Sequence, residues 1–478
     1  MQRTRIAVIG AGAAGLSVAR HFVPGPTYEV VIYEQSDQVG GTWVYREEVP
    51  EESEDRTVHS SMYINLRTNL SKETMAFPDM PFPDDLPTFV GHRDVRQYLT
   101  DYSMVYDIEP HIRFHTRVTD VRPVTDRAPH GVGDAAVRSS GECTSVDSGG
   151  SPLVDIGPRW QVTARSLDGE NGVAGATPVA DQQETFDAVF VCNGHYFQPL
   201  APTIPGLAEH FRGNVMHSHS YRRPDTYHGQ VVVVAGTGSS GQDICLDVAS
   251  KAQRVLVSAH RDHWIKSPLP SNIEQRRRIK CIDEHGGVVF DDGHVDRVDS
   301  ILWCTGYACS FPFLHDSCGV SVELDRVVKP LYRHLVNAAH PTMFFIAIPF
   351  LIAPFPLMAM QALFAKAVLE RRHTLPSFVD MARWQDDDLT KRSARGLPPH
   401  YAHALSGDQW DYDNELARLA GSEPLPPHYK ALYEYTKGTR AVSLTMYRNV
   451  RYQLRDDDAL FDAVDVGGCG EGQTQGRT

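Results

Sequence analysis

The sequence predicts an α/β fold in which two doubly wound units share one chain, the second inserted in the first. Three observations predict it. An apolar run ends in a glycine-rich turn at residues 10–15, the same grammar returns at residues 236–241, and further apolar runs at Phe186–Val191 and Ile301–Trp303 frame the second turn.

The first unit begins at once. Arg5–Ile9 is a short apolar run that reaches Gly10-Ala11-Gly12-Ala13-Ala14-Gly15, and Leu16–Phe22 then reads as helix. Glu29–Tyr33 is a second apolar run, and it ends on Glu34. In such a unit Gly10 permits the tight turn, Gly12 lets a pyrophosphate approach the backbone, and Gly15 lets helix and strand pack closely. Free N–H groups of the helix start, from Ala13 and Ala14 onward, face the phosphates. Glu34, 19 residues after Gly15, sits where a carboxylate hydrogen-bonds a ribose diol.

The second unit repeats this with one change. Gln230–Ala235 is an apolar strand, followed by Gly236-Thr237-Gly238-Ser239-Ser240-Gly241 and a helix from Gln242 to about Ala252, with Asp243 near its start expected among the cofactor-binding residues. The next strand, Arg254–Val257, ends in Ser258-Ala259-His260-Arg261 rather than in an acid. A carboxylate there would repel a 2′-phosphate, whereas Ser258 and Arg261 can bind one. The first site therefore suits FAD or NAD and the second NADPH. Two Rossmann-type sites in one chain imply an electron path from nicotinamide to flavin.

Composition narrows the alternatives. Among 478 residues, 46 Lys+Arg against 60 Asp+Glu give a net charge of −14, which repels phosphate backbones and argues against a nucleic-acid role. The eight cysteines are irregularly spaced with no CxxC pair, so neither a zinc site nor a dithiol redox pair is expected, and the thiols suit a reducing, cytoplasmic setting. Met1–Ile9 carries no leader-like apolar region, and 456–478 is polar, acidic and Gly-rich. Residues 343–365 lack any charge, but Pro349, Pro354 and Pro356 interrupt them, so buried core is expected and not a transmembrane anchor. Gly/Ser-rich stretches at 128–152 and 169–183 read as insertions without chemistry.

At this point the residues resemble the flavin-containing monooxygenase family. Phe211-Arg212-Gly213-Asn214-Val215-Met216-His217-Ser218-His219-Ser220-Tyr221 is similar to the family's F-x-G-x-x-x-H-x-x-x-Y fingerprint. Its Tyr221-Arg222 ending differs from the Trp-led ending of Baeyer–Villiger monooxygenases and favours oxygenation at a heteroatom. Gly40-Gly41-Thr42-Trp43 resembles a second flavin-contacting stretch, Tyr63–Asn69 with Phe77–Phe82 resembles the TN and DFPFP segment, and Cys304-Thr305-Gly306-Tyr307 looks like ATGY with Cys for Ala. The hydrophobic C-terminal anchor of vertebrate members is missing, an organisation closer to the insect, fungal or bacterial branches.

The resemblance implies that NADPH reduces FAD, that O2 then forms a 4a-hydroperoxyflavin, and that an amine nitrogen or thioether sulfur of a small molecule takes its distal oxygen. Alkaloids and xenobiotic amines fit such a role. Asn69 is the expected catalytic residue, since an amide can both donate and accept without adding charge. Gly41, Thr42, Trp43, Thr68, His217, Tyr221, Thr305, Gly306 and Gln361 are expected around the cofactors on the same ground, and no metal is. Baeyer–Villiger or N-hydroxylating chemistry is the alternative. The expected organisation is FAD-binding segments 1–210 and 326–455 around an NADPH-binding insert, 211–325, then a flexible tail, 456–478. Related enzymes are often homodimers.

Overall fold

The computed structural model describes residues 3–48, 60–124, 157–167, 181–455 and 460–466. The insertion proposed at 128–152 lies outside these residues, as does most of that at 169–183. The end of the latter is ordered: Gln182–Phe186 is a strand.

Contacts divide the chain into two compact units. The first comprises Met1–Gly41, Leu99–Gly194 and Cys309–Pro424. Its main sheet has seven strands in the order Leu331–Tyr332, Val336–Asn337, Met343–Phe345, Ala188–Val191, Thr4–Ile9, Tyr28–Tyr33, Ile112–Arg113. The five strands from Met343–Phe345 to Ile112–Arg113 run parallel, which requires crossovers and buries both faces. That burial explains why Ile6, Ala7 and Val8 are fully inaccessible and why these strands read as unbroken apolar runs. The run Phe186–Val191 is two strands and not one. Asp187 divides it, accepting the Arg5 N–H on its carboxylate at 2.8 Å and returning its own N–H to the Arg5 carbonyl. Phe186 ends a strand antiparallel to Trp160–Ser166, while Ala188–Val191 joins the parallel sheet.

The uncharged stretch 343–365 resolves into strand Met343–Phe345, a loop, and helix Pro354–Leu369, and most residues of that helix are buried. No helix among the described residues is long and apolar enough to cross a membrane.

The second unit comprises Thr42–Tyr98, His195–Ala308 and Leu425–Thr478. Its sheet is wholly parallel, in the order Ile273–Arg276, Arg254–Ser258, Val231–Ala235, Ser300–Trp303, Asn214–His217. The run at 301–303 thus belongs to this inner sheet. The units are also drawn differently from the expected boundaries at 211 and 326, for a packing reason. Tyr63 and Phe89 from the first hundred residues and Leu432 from helix His428–Val442 share one core with Tyr221, Val232 and Val255. Of the expected tail at 456–478 only residues 460–466 are described, and they include a strand. Phe461–Asp465 pairs antiparallel with Val450–Leu454, and the Phe461 ring packs on Tyr435 and Tyr452.

Candidate active site

Each unit places one glycine loop at the carboxyl end of a central parallel strand, Thr4–Ile9 in the first and Val231–Ala235 in the second, where open α/β sheets bind ligands. In the first loop, a Cβ on Gly15 would stand 1.9 Å from the Gly10 carbonyl oxygen, so only glycine lets helix Ala13–Phe22 lie this close. Ala13 and Ala14, in its first turn, are 8% and 7% exposed. Gly12 and Gly41 face each other across the loop, a Cβ on Gly12 reaching the Gly41 Cα at 3.5 Å. Glu34 is buried, and its carboxylate accepts the N–H groups of Ala11 and Ser36, both at 2.8 Å. The turn thereby fixes the acid where the loop's open N–H groups end, a cradle that fits a ribose and pyrophosphate.

The second loop is built alike. A Cβ on Gly241 would fall 2.0 Å from the Gly236 carbonyl oxygen. Helix Ser239–Ala249 starts with Gly238 as its N-cap residue, three residues earlier than expected, and the strand after it runs to Ser258. Ser239 and Ser240 are exposed in its first turn. Ser258 is buried and donates to the Arg277 carbonyl at 2.9 Å, while Arg261 is exposed in a short 3-10 turn, Arg261–His263.

Asn69 is brought to this second loop. Its amide donates to the Ser239 hydroxyl at 3.2 Å, and the preceding Thr68 is buried, with its N–H on the Val90 carbonyl. The residues between Tyr63 and Asn69 follow one face of helix Ser239–Ala249. Tyr63 donates to Asp243, Asn65 donates to Asp247 at 2.8 Å, and Asn69 meets Ser239. Ser239, Asp243 and Asp247 are four residues apart, which is the helical repeat of one face. Tyr221, 1% exposed, donates to the other oxygen of Asp247 at 2.6 Å and packs on Tyr63 at 5.3 Å. Asp243 and Tyr221, both expected at the cofactor, are thus each hydrogen-bonded to protein side chains.

His217 is held in one tautomer. Its Nδ1 accepts the His219 N–H at 3.0 Å, so its Nε2 carries the proton and donates to the Gly306 carbonyl at 3.1 Å. Burial, reinforced by His219, lowers its pKa to about 4. Gly306 has φ +84°, and Thr305 beside it donates to the Leu200 carbonyl. In the first unit Gln361 is fully buried, accepting the Ala347 N–H and donating to Tyr412, both at 2.8 Å. That amide braces the loop after Met343–Phe345, where Ala347 holds φ +62°. Gly41–Trp43 forms a 3-10 turn whose Thr42 carbonyl accepts the Ser60 hydroxyl at 3.2 Å, and Trp43 is half-buried.

The residues match the flavin-binding monooxygenase-like family model over 3–146, 161–272 and 269–433. The chain belongs to this family. It accordingly depends on FAD and NADPH, and the two glycine cradles fit one dinucleotide each. The Arabidopsis thaliana flavin-containing monooxygenase FMO GS-OX-like 2 is 37% identical over 429 residues, covering 86% of this chain and 84% of the relative. FMO GS-OX5 of the same plant is 33% identical over 480 residues, 96% and 94% of the two chains. The solved S-allyl-L-cysteine S-oxygenase of Allium sativum superposes with a TM-score of 0.79 at 32% identity, covering 94% of this chain and 95% of that one. Tmm from a Pelagibacter strain shares the fold, with a TM-score of 0.77 at 22% identity and 94% of each chain covered.

Sequence reasoning missed Arg448. Its Nε donates to the Thr68 carbonyl and its Nη2 to the Arg67 carbonyl, both at 3.0 Å, and its Nη1 meets Asp243 at 2.6 Å. No motif surrounds it. The only local signal for the whole arrangement is the spacing of Ser239, Asp243 and Asp247.

Proposed function

We propose that this monooxygenase transfers one oxygen atom of O2, at the expense of NADPH, to a soft nucleophilic atom of a small molecule. Thioether sulfur is the first choice and amine nitrogen the second. The observation that carries the reading is the uncharged Asn69 amide delivered to Ser239 at the mouth of the second glycine loop. Sulfur comes first because a structure 32% identical over nearly the whole chain is an S-oxygenase.

The roles of the residues follow. Glu34 and the N–H groups of Ala13 and Ala14 would hold FAD, which supplies the redox and oxygen-transfer chemistry when bound. The N–H groups at Ser239–Gly241 would hold the NADPH pyrophosphate, with Ser258 and Arg261 at its 2′-phosphate. Asn69 orients nucleotide or oxygen through a neutral amide, adding neither a proton donor of low pKa nor a fixed charge. His217, neutral and fixed at both nitrogens, serves as a wall and not as a proton shuttle.

The test is stopped-flow mixing of NADPH-reduced, FAD-loaded protein with oxygenated buffer, following the return of oxidised-flavin absorbance. The expected result is a slow return that bound NADP⁺ prolongs and that S-allyl-L-cysteine or a tertiary amine hastens, whereas a cyclic ketone leaves it unchanged. A fast return indifferent to NADP⁺ and to every substrate would mark an oxidase instead.

A further inference from the structure

We propose that Arg448 is a positioning residue for Asn69, holding the segment that ends in Asn69 against the helix of the second glycine loop. The inference rests on the functional reading of Asn69 given above.

The geometry is that of a clamp. One planar guanidinium grips the two carbonyls immediately before Asn69, those of Arg67 and Thr68, and with its third nitrogen the Asp243 carboxylate. Asp243 lies one turn below Ser239 on the same helix face, so the clamp joins the backbone that carries Asn69 to the turn that carries its partner. Both members of the ion pair are largely shielded from water, at 15% and 18% side-chain exposure. Tyr447 places its ring 5.0 Å from the guanidinium, and Tyr63 braces the second oxygen of Asp243.

The clamp also answers an electrostatic problem. Asp243 and Asp247 are one turn apart, a like-charge spacing that destabilises a helix. Without Arg448, Asp243 would face Asp247 with the Tyr63 hydroxyl hydrogen-bonded to it and the charge of Arg67 acting without a hydrogen bond. Lysine cannot replace the arginine here, because a point charge has no fork to hold two carbonyls and a carboxylate in one plane. A side chain that holds backbone by three directed bonds fixes the position of the next residue far better than loop packing alone.

The experiment is a double-mutant cycle on the full-length protein, with Arg448→Met, Asn69→Ala and the two combined. Two readouts are taken: product formed per NADPH consumed, and the Kd for NADP⁺ of the FAD-loaded protein. Arg448→Met alone should lower product per NADPH about tenfold. In the Asn69→Ala background the same change should alter it less than about twofold. Arg448→Lys should fall between wild type and Met. Equal effects in both backgrounds, or an Arg448→Met protein as well coupled as wild type, would overturn the proposal. Should Arg448→Met fail to fold, Tyr63→Phe carries the cycle. It removes only the hydroxyl that braces Asp243 and should give a smaller, equally non-additive loss. If wild type forms no oxygenated product, the proposed function fails, and the Kd cycle still decides the link. Non-additive Kd changes would support the clamp and additive ones would overturn it.

Discussion

The two glycine loops share their walls and differ in their floors. In both, the third glycine is compelled by a carbonyl oxygen about one bond length from where a Cβ would sit, 1.9 Å at Gly15 and 2.0 Å at Gly241. In both, the neighbouring strand leads into a buried cysteine, Cys192 or Cys304, whose carbonyl presses on the first glycine. The middle glycines part company. Gly12 is covered by Gly41, whereas a Cβ on Gly238 would meet nothing within 4 Å. At the end of the second strand one loop has Glu34, tied to the turn by two N–H groups, and the other has Ser258 with Arg261 exposed nearby. One backbone solution for a pyrophosphate is thus used twice. In the proposed reading side chains outside the glycines choose the nucleotide, and the more open loop is the one that Asn69 reaches.

The sharpest way to break this comparison is to add a methyl group to each loop in turn. Gly15→Ala should yield protein without bound FAD, and Gly241→Ala should keep its FAD while NADPH binds about 100-fold more weakly. Flavin absorbance after purification and an NADPH titration read the two results. Loss of flavin from Gly241→Ala would show that the loops are not independent.

Asn69→Asp comes next. It should retain flavin and its reduction by NADPH yet lose product about 100-fold, because a carboxylate brings charge and cannot donate. Unimpaired oxygenation would remove Asn69 from the mechanism. A smaller effect is expected at the floor of the second loop. Arg261→Ala should raise the KM for NADPH about tenfold and leave that for NADH unchanged, as one exposed charge-assisted hydrogen bond to phosphate would dictate. An equal change for both nucleotides would place Arg261 away from the 2′-phosphate.

The smallest effect concerns pH. Burial, with His219 beside it, lowers the His217 pKa from 6.5 to about 4. Between those values the unfolded chain takes up a proton that the folded chain refuses, so stability is full above pH 6.5 and falls as pH drops toward 4. His217→Gln should flatten part of that slope in urea midpoints taken at about pH 7.5, 6 and 4.5. A slope unchanged by the substitution would mean that His217 is protonated in the folded protein.

How much of this the sequence disclosed depends on how local each cause is. Both cradles were legible because a glycine turn, an apolar strand and a charged or polar strand end all fall within about thirty residues. The strand break at Asp187 was hidden, since a hydrogen bond to Arg5, far away in sequence, creates it. The unit boundaries were hidden for the same reason: Tyr63, Phe89 and Leu432 meet only in the folded core. Asn69 is proposed through family resemblance, but no pattern in the sequence points to the side chains that hold it. Arg448 carries no motif, and its partners are two backbone carbonyls, which no sequence pattern marks.

The most direct test of the central claim is a turnover of the FAD-loaded protein with NADPH and S-allyl-L-cysteine under ¹⁸O-labelled dioxygen. One labelled oxygen atom in the sulfoxide for each NADPH consumed is the result the account predicts. NADPH consumed with the label recovered only in hydrogen peroxide, for this thioether and for a tertiary amine alike, would contradict it.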